Sequence, residues 1–343
     1  MRSGVTDRAS IRDVARLASV SRQTVSRALN EPDAVSPDTL QRVREAVAQL
    51  GYRPNLAARS LKTRQTGVFG VVVNPMSRFA MDQEVARLGH LAGEREMALL
   101  VNATYDDSYE GTRAAITRLL DQRIEGLFVM SPLDRGLDVA LAVAPSIPVV
   151  VVQSGVDLDG IATVDADQDL GVNLIVDHLV GLGHRRIDHV SGPRNWVAAR
   201  LRTEAFVRAL DRHGIAPGVT YPGDFRPQMG FDAGVRMVAR GLPDAVFASS
   251  DLMAQGVVRA FADAGVAVPD DVSVAGFDDV VGTSMLVPRL TTVRQPLDDV
   301  CGAAMEVMNE LRRGGAPRRV LLAPELVVRE SVGPCRGAAT WVR

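Results

Sequence analysis

Ser21-Arg22-Gln23-Thr24-Val25-Ser26-Arg27 places polar side chains at helical spacing around an apolar residue. If Val25 and Leu29 face inward, then Arg22, Gln23, Thr24, Ser26 and Arg27 face outward. The chemistry these groups offer is recognition. An arginine fork fits guanine O6 and N7, and a glutamine amide pairs with adenine N6 and N7. Hydroxyls and backbone amides at a helix start suit phosphate oxygens, which extends the set to Ser21. The plainer alternative is a solvated helix face.

The elements that must hold this face are short helices. Ser10-Ile11-Arg12-Asp13 has the spacing of a capping box. Ile11, Val14, Ala15 and Ala18 then predict a first helix over about 11–18. Ser19-Val20 breaks it, and Ser21 caps a second helix over about 22–29. Ala15, Ser19 and Val25 stand at the offsets of a helix-turn-helix. Ser36-Pro37 starts a third helix lined by Leu40, Val43, Val47 and Leu50, which Gly51 ends.

Charge separates this head from the rest. The 343 residues carry a net −2. Residues 1–64 hold twelve Lys/Arg against six Asp/Glu, a net +6, so the remainder carries −8. A basic head on an acidic body implies that only the head meets a polyanion. Lys62 is the one lysine. That excludes a phosphate-cradling glycine loop with lysine elsewhere in the chain. Cys301 and Cys335 are far apart, which fits neither a disulfide framework nor a zinc site. The polar start and the absence of a long apolar run predict a soluble, cytoplasmic protein with no membrane segment.

Arg53-Pro54-Asn55-Leu56-Ala57-Ala58-Arg59-Ser60-Leu61-Lys62 follows the head. Pro54 can open a helix, but one or two turns are not stable alone in water. The segment is expected to become helical only when something else supplies contacts.

Beyond residue 65 the texture becomes apolar and alternating. Strands are predicted at Val68–Val73, Ala98–Val101, Gly126–Val129, Val149–Gln153, Ala162–Val164, Ile187–Ser191, Tyr221–Asp224, Ala245–Ala248 and Val272–Phe277. Helices fall between them, at about 80–95, 109–122, 137–144, 167–182, 199–213, 229–240 and 251–264. Regular alternation means an α/β fold of parallel sheets flanked by helices. So many strands suggest two sheets in two lobes, with a ligand between them at the strand ends. Asp165-Ala166-Asp167-Gln168-Asp169 begins like a calcium loop, but Leu170 and Val176 stand where glycine and glutamate are needed. His184 and His189 lack metal spacing, so no metal and no cofactor is expected.

Residues 10–62 closely resemble the DNA-binding head of the LacI/GalR family of bacterial repressors. The likeness runs through Ile11–Asn30, Val35-Ser36, Leu50–Asn55 and Ala57–Leu61. It departs at Ser19, where the family usually has glycine. The body resembles the family more loosely, through Val73-Asn74-Pro75, Gly192-Pro193, Arg200-Leu201-Arg202, Ala248–Ala254, Gly276–Asp279 and Leu290–Pro296. The resemblance implies a helix-turn-helix domain over 1–53, a hinge helix and linker over 54–64, and an effector-binding and dimerisation domain over 65–343. It also implies a periplasmic-binding-protein-like body. Its N-lobe would be about 66–162 and 293–323, its C-lobe about 163–290 and 326–343, with crossings near 162–165, 289–293 and 323–327.

The same resemblance implies roles. Arg22, Gln23 and Arg27 match base-reading positions. Leu61 matches a leucine that wedges into the minor groove, with Asn55, Ala58 and Lys62 in the same DNA-contacting hinge. Such a wedge costs a few kcal/mol of unstacking, which two hinge helices together can offset. A homodimer on pseudo-palindromic double-stranded operator DNA follows. Effector contacts are expected from Asn74, Ser250, Gln295 and Asp278, with Arg202 supplying a five-donor fork and Phe79 and Trp196 an apolar platform. Asp251 is either a helix cap or a contact, and Phe247 is core. The expected function is a repressor, not an enzyme, whose operator affinity is set by a small molecule, with a sugar or sugar derivative expected. A sugar phosphate or nucleobase stays open. The competing readings are an effector-independent regulator whose body only dimerises, an enzyme with a DNA-binding head, and a transport-type sugar binder.

Overall fold

The computed structural model describes residues 9–52, 66–73, 78–104, 108–130, 134–153, 155 and 157–335. The chain divides into two compact units, Met1–Thr66 and Gly67–Arg343.

The first unit is a helical head. Helix α1 (Ile11–Leu17) starts at Ser10, whose backbone N–H and hydroxyl both donate to Asp13. Helix α2 (Arg22–Asn30) is capped by Ser21, which accepts from the Thr24 N–H at 3.0 Å. Helix α3 (Pro37–Leu50) begins with proline at its first position and ends at Gly51 in the left-handed region. Val14, Val25 and Val43 are fully buried between them, with Ala15, Ala18, Ala28 and Ala46 allowing close approach. Ser19 in the turn has φ 55°, the conformation glycine adopts at least cost.

The second unit is an alternating α/β body. Its first part comprises β1 (Val68–Val73), α4 (Arg78–Glu94), β2 (Ala98–Ala103), α5 (Tyr109–Leu120), β3 (Leu127–Met130), α6 (Asp134–Val143), β4 (Val149–Val152) and β5 (Ala162–Ala166). The chain continues through α7 (Gln168–Gly181), β6 (Ile187–Ser191), α8 (Val197–Arg212), β7 (Thr220–Pro222), α9 (Pro227–Arg240), β8 (Ala245–Ala248), α10 (Asp251–Asp263) and β9 (Ser273–Ala275). It closes with β10 (Thr292–Arg294), α11 (Leu297–Arg312), β11 (Arg319–Leu322) and β12 (Glu325–Val327).

Among the described residues these strands make two parallel sheets. One has the order β11-β5-β4-β3-β1-β2, and the other β7-β6-β8-β9. A short antiparallel pair, β10 with β12, lies where the chain passes between them. Successive strand residues point to opposite faces. Phe128 therefore joins a core with Phe69, Val150, Met305 and Met308, while Val129 joins Val72, Ile116, Leu119 and Val151 on the other side. The second sheet does the same with Phe247 among Phe206 and Phe277, and Val246 among Met253 and Phe261. Helices α9 and α10 cross at glycines, since a Cβ on Gly230 would fall on the Met253 carbonyl and one on Gly256 on the Pro227 carbonyl.

Several boundaries differ from those read in the sequence. Strand β5 stays in the first sheet through Ala166, paired with β4 and β11. The passage to the second sheet therefore falls after residue 166. Asp165, polar by type, is fully buried there because its Oδ1 accepts from the Gly155 N–H at 2.6 Å. The strand expected over Tyr221–Asp224 runs from Thr220 to Pro222, and the one expected over Val272–Phe277 is shortened to Ser273–Ala275. Asp167 caps α7 by accepting from Leu170 N–H at 2.9 Å. No helix is long and apolar enough to cross a membrane, among the described residues.

Candidate functional site

Helix α2 presents a polar face to the outside of the head. Arg22, Gln23 and Arg27 are exposed on α2, while Thr24 and Ser26 are half-buried. Ser21 is committed to capping, with its hydroxyl 2.8 Å from Thr24 Oγ1 as well. Turning the apolar Val25 and Ala28 inward directs the arginines and the glutamine outward. The hinge positions Asn55, Ala58, Leu61 and Lys62 lie outside the described residues, and so do Asn74 and the Phe79 side chain.

The body holds a buried polar knot at the ends of the strands. Arg202 sits in the second turn of α8, inside the helix and not at its start, and is 5% exposed. Its guanidinium donates to Gln168 Oε1 at 2.7 Å, to the Ser249 carbonyl at 2.5 Å and to Asp278 Oδ1 at 3.1 Å. It also lies over the Phe277 ring, 3.9 Å from the centroid. Gln295, which follows β10, donates from Nε2 to Asp278 Oδ1 at 2.6 Å. Its Oε1 accepts from Gln168 Nε2 at 3.1 Å and from Gln153 Nε2 at 3.4 Å. Gln153, just after β4, also donates to Glu84 Oε1 on α4 at 3.2 Å. The knot thus joins groups carried by both sheets.

Asp278 is held in an unusual backbone, φ 108°, which a non-glycine residue keeps only when its surroundings force it. Asp251 supplies part of that force. Its Oδ2 accepts from the Val280 N–H at 2.8 Å and its Oδ1 from the Thr292 hydroxyl at 2.5 Å. Both oxygens of Asp251 are therefore engaged by the chain, beneath the loop. Asp279 supplies the rest, accepting from Arg329 at 2.7 Å, Arg294 at 2.7 Å and the Thr283 hydroxyl at 2.9 Å. Burial opposes the Asp279 charge, but these donors outweigh it and hold its carboxyl below the usual range.

Burial pushes the carboxyls of the knot the other way. Asp278 is raised by burial, with Arg202 pulling it back. Asp251 is raised well above its ordinary value by burial and then by the nearby Asp278 charge. Glu84, 3% exposed, is pushed up to about 7, by burial first and by Asp278 as well. Two acids, an arginine and three amides offer directed donors and acceptors for a hydroxyl-bearing ligand.

Trp196 is 8% exposed at the start of α8, edge-on to Phe225 at 5.1 Å between centroids. Its indole N–H has no hydrogen-bond partner among the described residues. Ser250 caps α10, accepting from Met253 N–H at 3.4 Å. Phe247 is fully buried in the core. His189 and Ser249 approach to 3.4 Å, but His189 is sealed between the Phe206 and Phe247 rings. Burial drives its imidazole down to about 4.

Glu84, Gln153 and Gln168 are not among the effector contacts that the resemblance implies. Glutamine and glutamate in helices and at strand ends carry no local signal. Only the tertiary fold brings residues 84, 153, 168 and 295 together.

A helix-turn-helix head joined to a two-sheet body with a buried polar knot defines a class: a DNA-reading module attached to a small-molecule receptor. Residues 10–55 match the model for bacterial regulatory proteins of the lacI family. Residues 176–332 match a periplasmic binding protein-like domain. The chain is 33% identical over 319 residues to the lactose operon repressor of Escherichia coli strain K12, covering 92% of this chain and 88% of that protein. It is 33% identical over 332 residues to the ribose operon repressor of the same strain, covering 94% and 99%. A crystal structure of the lac repressor dimer bound to operator and the anti-inducer ONPF superposes with TM-score 0.87 at 31% identity, covering 95% of this chain and all of that one. The chain belongs to the LacI family.

Proposed function

We propose that this chain is a cytoplasmic repressor that binds a near-palindromic operator as a homodimer and whose operator affinity is set by a small molecule held in the body. The observation that carries the reading is the buried Arg202–Asp278–Gln295 knot, which Gln153 at the end of β4 joins to the first sheet. A ligand that inserts its own hydroxyls into such a knot must move the groups it displaces. In this reading Arg202, Asp278 and Gln295 contact the effector, with Trp196 and Phe79 beside its apolar face and Asn74 and Ser250 at strand ends. Asp251 acts beneath them by holding the Asp278 loop. A sugar or sugar derivative fits the donor and acceptor set.

Arg22, Gln23 and Arg27 read bases in the major groove, and Ser21, Thr24 and Ser26 face phosphates. Leu61 of the paired hinges wedges into the minor groove with Ala58 and Lys62 beside it, and Asn55 contacts DNA from the same hinge. Effector and operator are then linked by a coupling of about 1–3 kcal/mol, reciprocal by thermodynamic necessity. The test is operator binding by the full chain against a panel of small molecules. A shift in operator affinity with one member, abolished by Asp278→Ala, supports the reading. An effect that survives Asp278→Ala places the ligand elsewhere.

A further inference from the structure

Glu84 is a buried acid that none of the roles above employs. Its carboxylate is reached by the neutral Gln153 from the end of β4. On its own helix the neighbouring cation is Arg87, which is ion-paired with Asp298. From α11, Cys301 donates its thiol to the Glu84 carbonyl at 3.7 Å. From the second sheet comes Asp278, whose charge opposes that of Glu84 and is balanced by Arg202.

We propose that Glu84 is a ligand-reading residue of this site, that it accepts hydroxyl donors from an uncharged effector, and that effector capture expels a proton from it. The inference rests on the reading of the body as an effector receptor. Glu84 is already almost dry, so a ligand adds little further burial. What the ligand adds is O–H donors, and these favour the carboxylate over the acid. At neutral pH a sizeable fraction of Glu84 is protonated, so there is a proton to lose. Within the described part of the knot Arg202 is matched by Asp278, so no unbalanced cation awaits a phosphate. An anionic ligand would meet two carboxyls instead.

The experiment is calorimetry on the full chain at pH 6, 7 and 8, in buffers of different ionisation heat. The probes are ribose, lactose, ribose 5-phosphate, adenine and hypoxanthine. The expected result is binding of an uncharged sugar with buffer-dependent heat showing proton release. Affinity should rise about tenfold from pH 6 to pH 8. In Glu84→Gln the affinity should no longer vary with pH and the heat should no longer depend on buffer. Thermal unfolding at pH 5, where Glu84 carries its proton, checks that the variant is folded. Sugar binding without proton release overturns the inference, as does a release that survives Glu84→Gln. Preference for ribose 5-phosphate or a base overturns it while leaving an effector site in place. Silence across the whole panel removes the effector reading, and this inference with it.

Discussion

Replacing Arg202 by methionine removes the cation but keeps much of the side-chain length. The guanidinium makes three hydrogen bonds and stands over the Phe277 ring, and the ion pair with Asp278 is largely dry, at 6% and 18% side-chain exposure. Removing one partner leaves a buried carboxylate with Gln295 as its remaining side-chain donor among the described residues. Breaking a buried pair in this way costs about 3–5 kcal/mol. Removing both charges costs far less, because the desolvation of Asp278 disappears together with its partner. The prediction is that Arg202→Met loses most of that sum, whereas Arg202→Met with Asp278→Asn recovers at least about half of it. Urea unfolding followed by circular dichroism, fitted to the transition of the body alone, measures both. With a slope of about 3 kcal/mol per molar urea, the single variant moves the midpoint by about 1 M or more. A loss under about 1 kcal/mol for the single variant, or a double variant as unstable as the single, would refute the reasoning.

Three other outcomes follow. Because Glu84 sits at about 7 in the fold against an ordinary 4.5, its contribution is fully present below about pH 4.5 and is lost as pH rises through about 7. Glu84→Gln should therefore gain on the wild type by up to about 3 kcal/mol at pH 8 and by nothing at pH 4.5, read as the pH dependence of urea midpoints. Ser19→Gly relieves a left-handed serine, φ 55°, and should stabilise the head by about 1 kcal/mol in thermal melts of the full chain. Leu61→Ala should cripple operator-specific binding while leaving salt-dependent, non-specific binding nearly intact, and equal loss of both in a salt titration would discard the wedge.

The elements were legible where chemistry is local. Ser10, Ser21 and Ser36 start helices and Gly51 ends one because caps act within four residues. The apolar runs at 68–73, 187–191 and 245–248 are strands because both faces are covered. Helix Leu297–Arg312 is absent from the elements expected from sequence, although Val300, Cys301, Ala304, Met305 and Met308 give it a helical stripe. Strand β5 extends past the expected Val164 because Asp165, loop-like by type, is held in the strand by the Gly155 N–H on its Oδ1. The polar knot was half legible. Asp278 and Arg202 sit in motifs, but Glu84, Gln153 and Gln168 join them only through contacts spanning 34 to 142 residues of chain.

Repression in this reading requires an operator read by two copies of α2. Selection of bound duplexes from a random pool by the full-length protein tests it most directly. The predicted result is an inverted repeat whose half-site bases change with Arg22, Gln23 or Arg27 substitutions while the spacing stays fixed. Recovery of no inverted repeat, or of sequences that those substitutions leave unchanged, would contradict it.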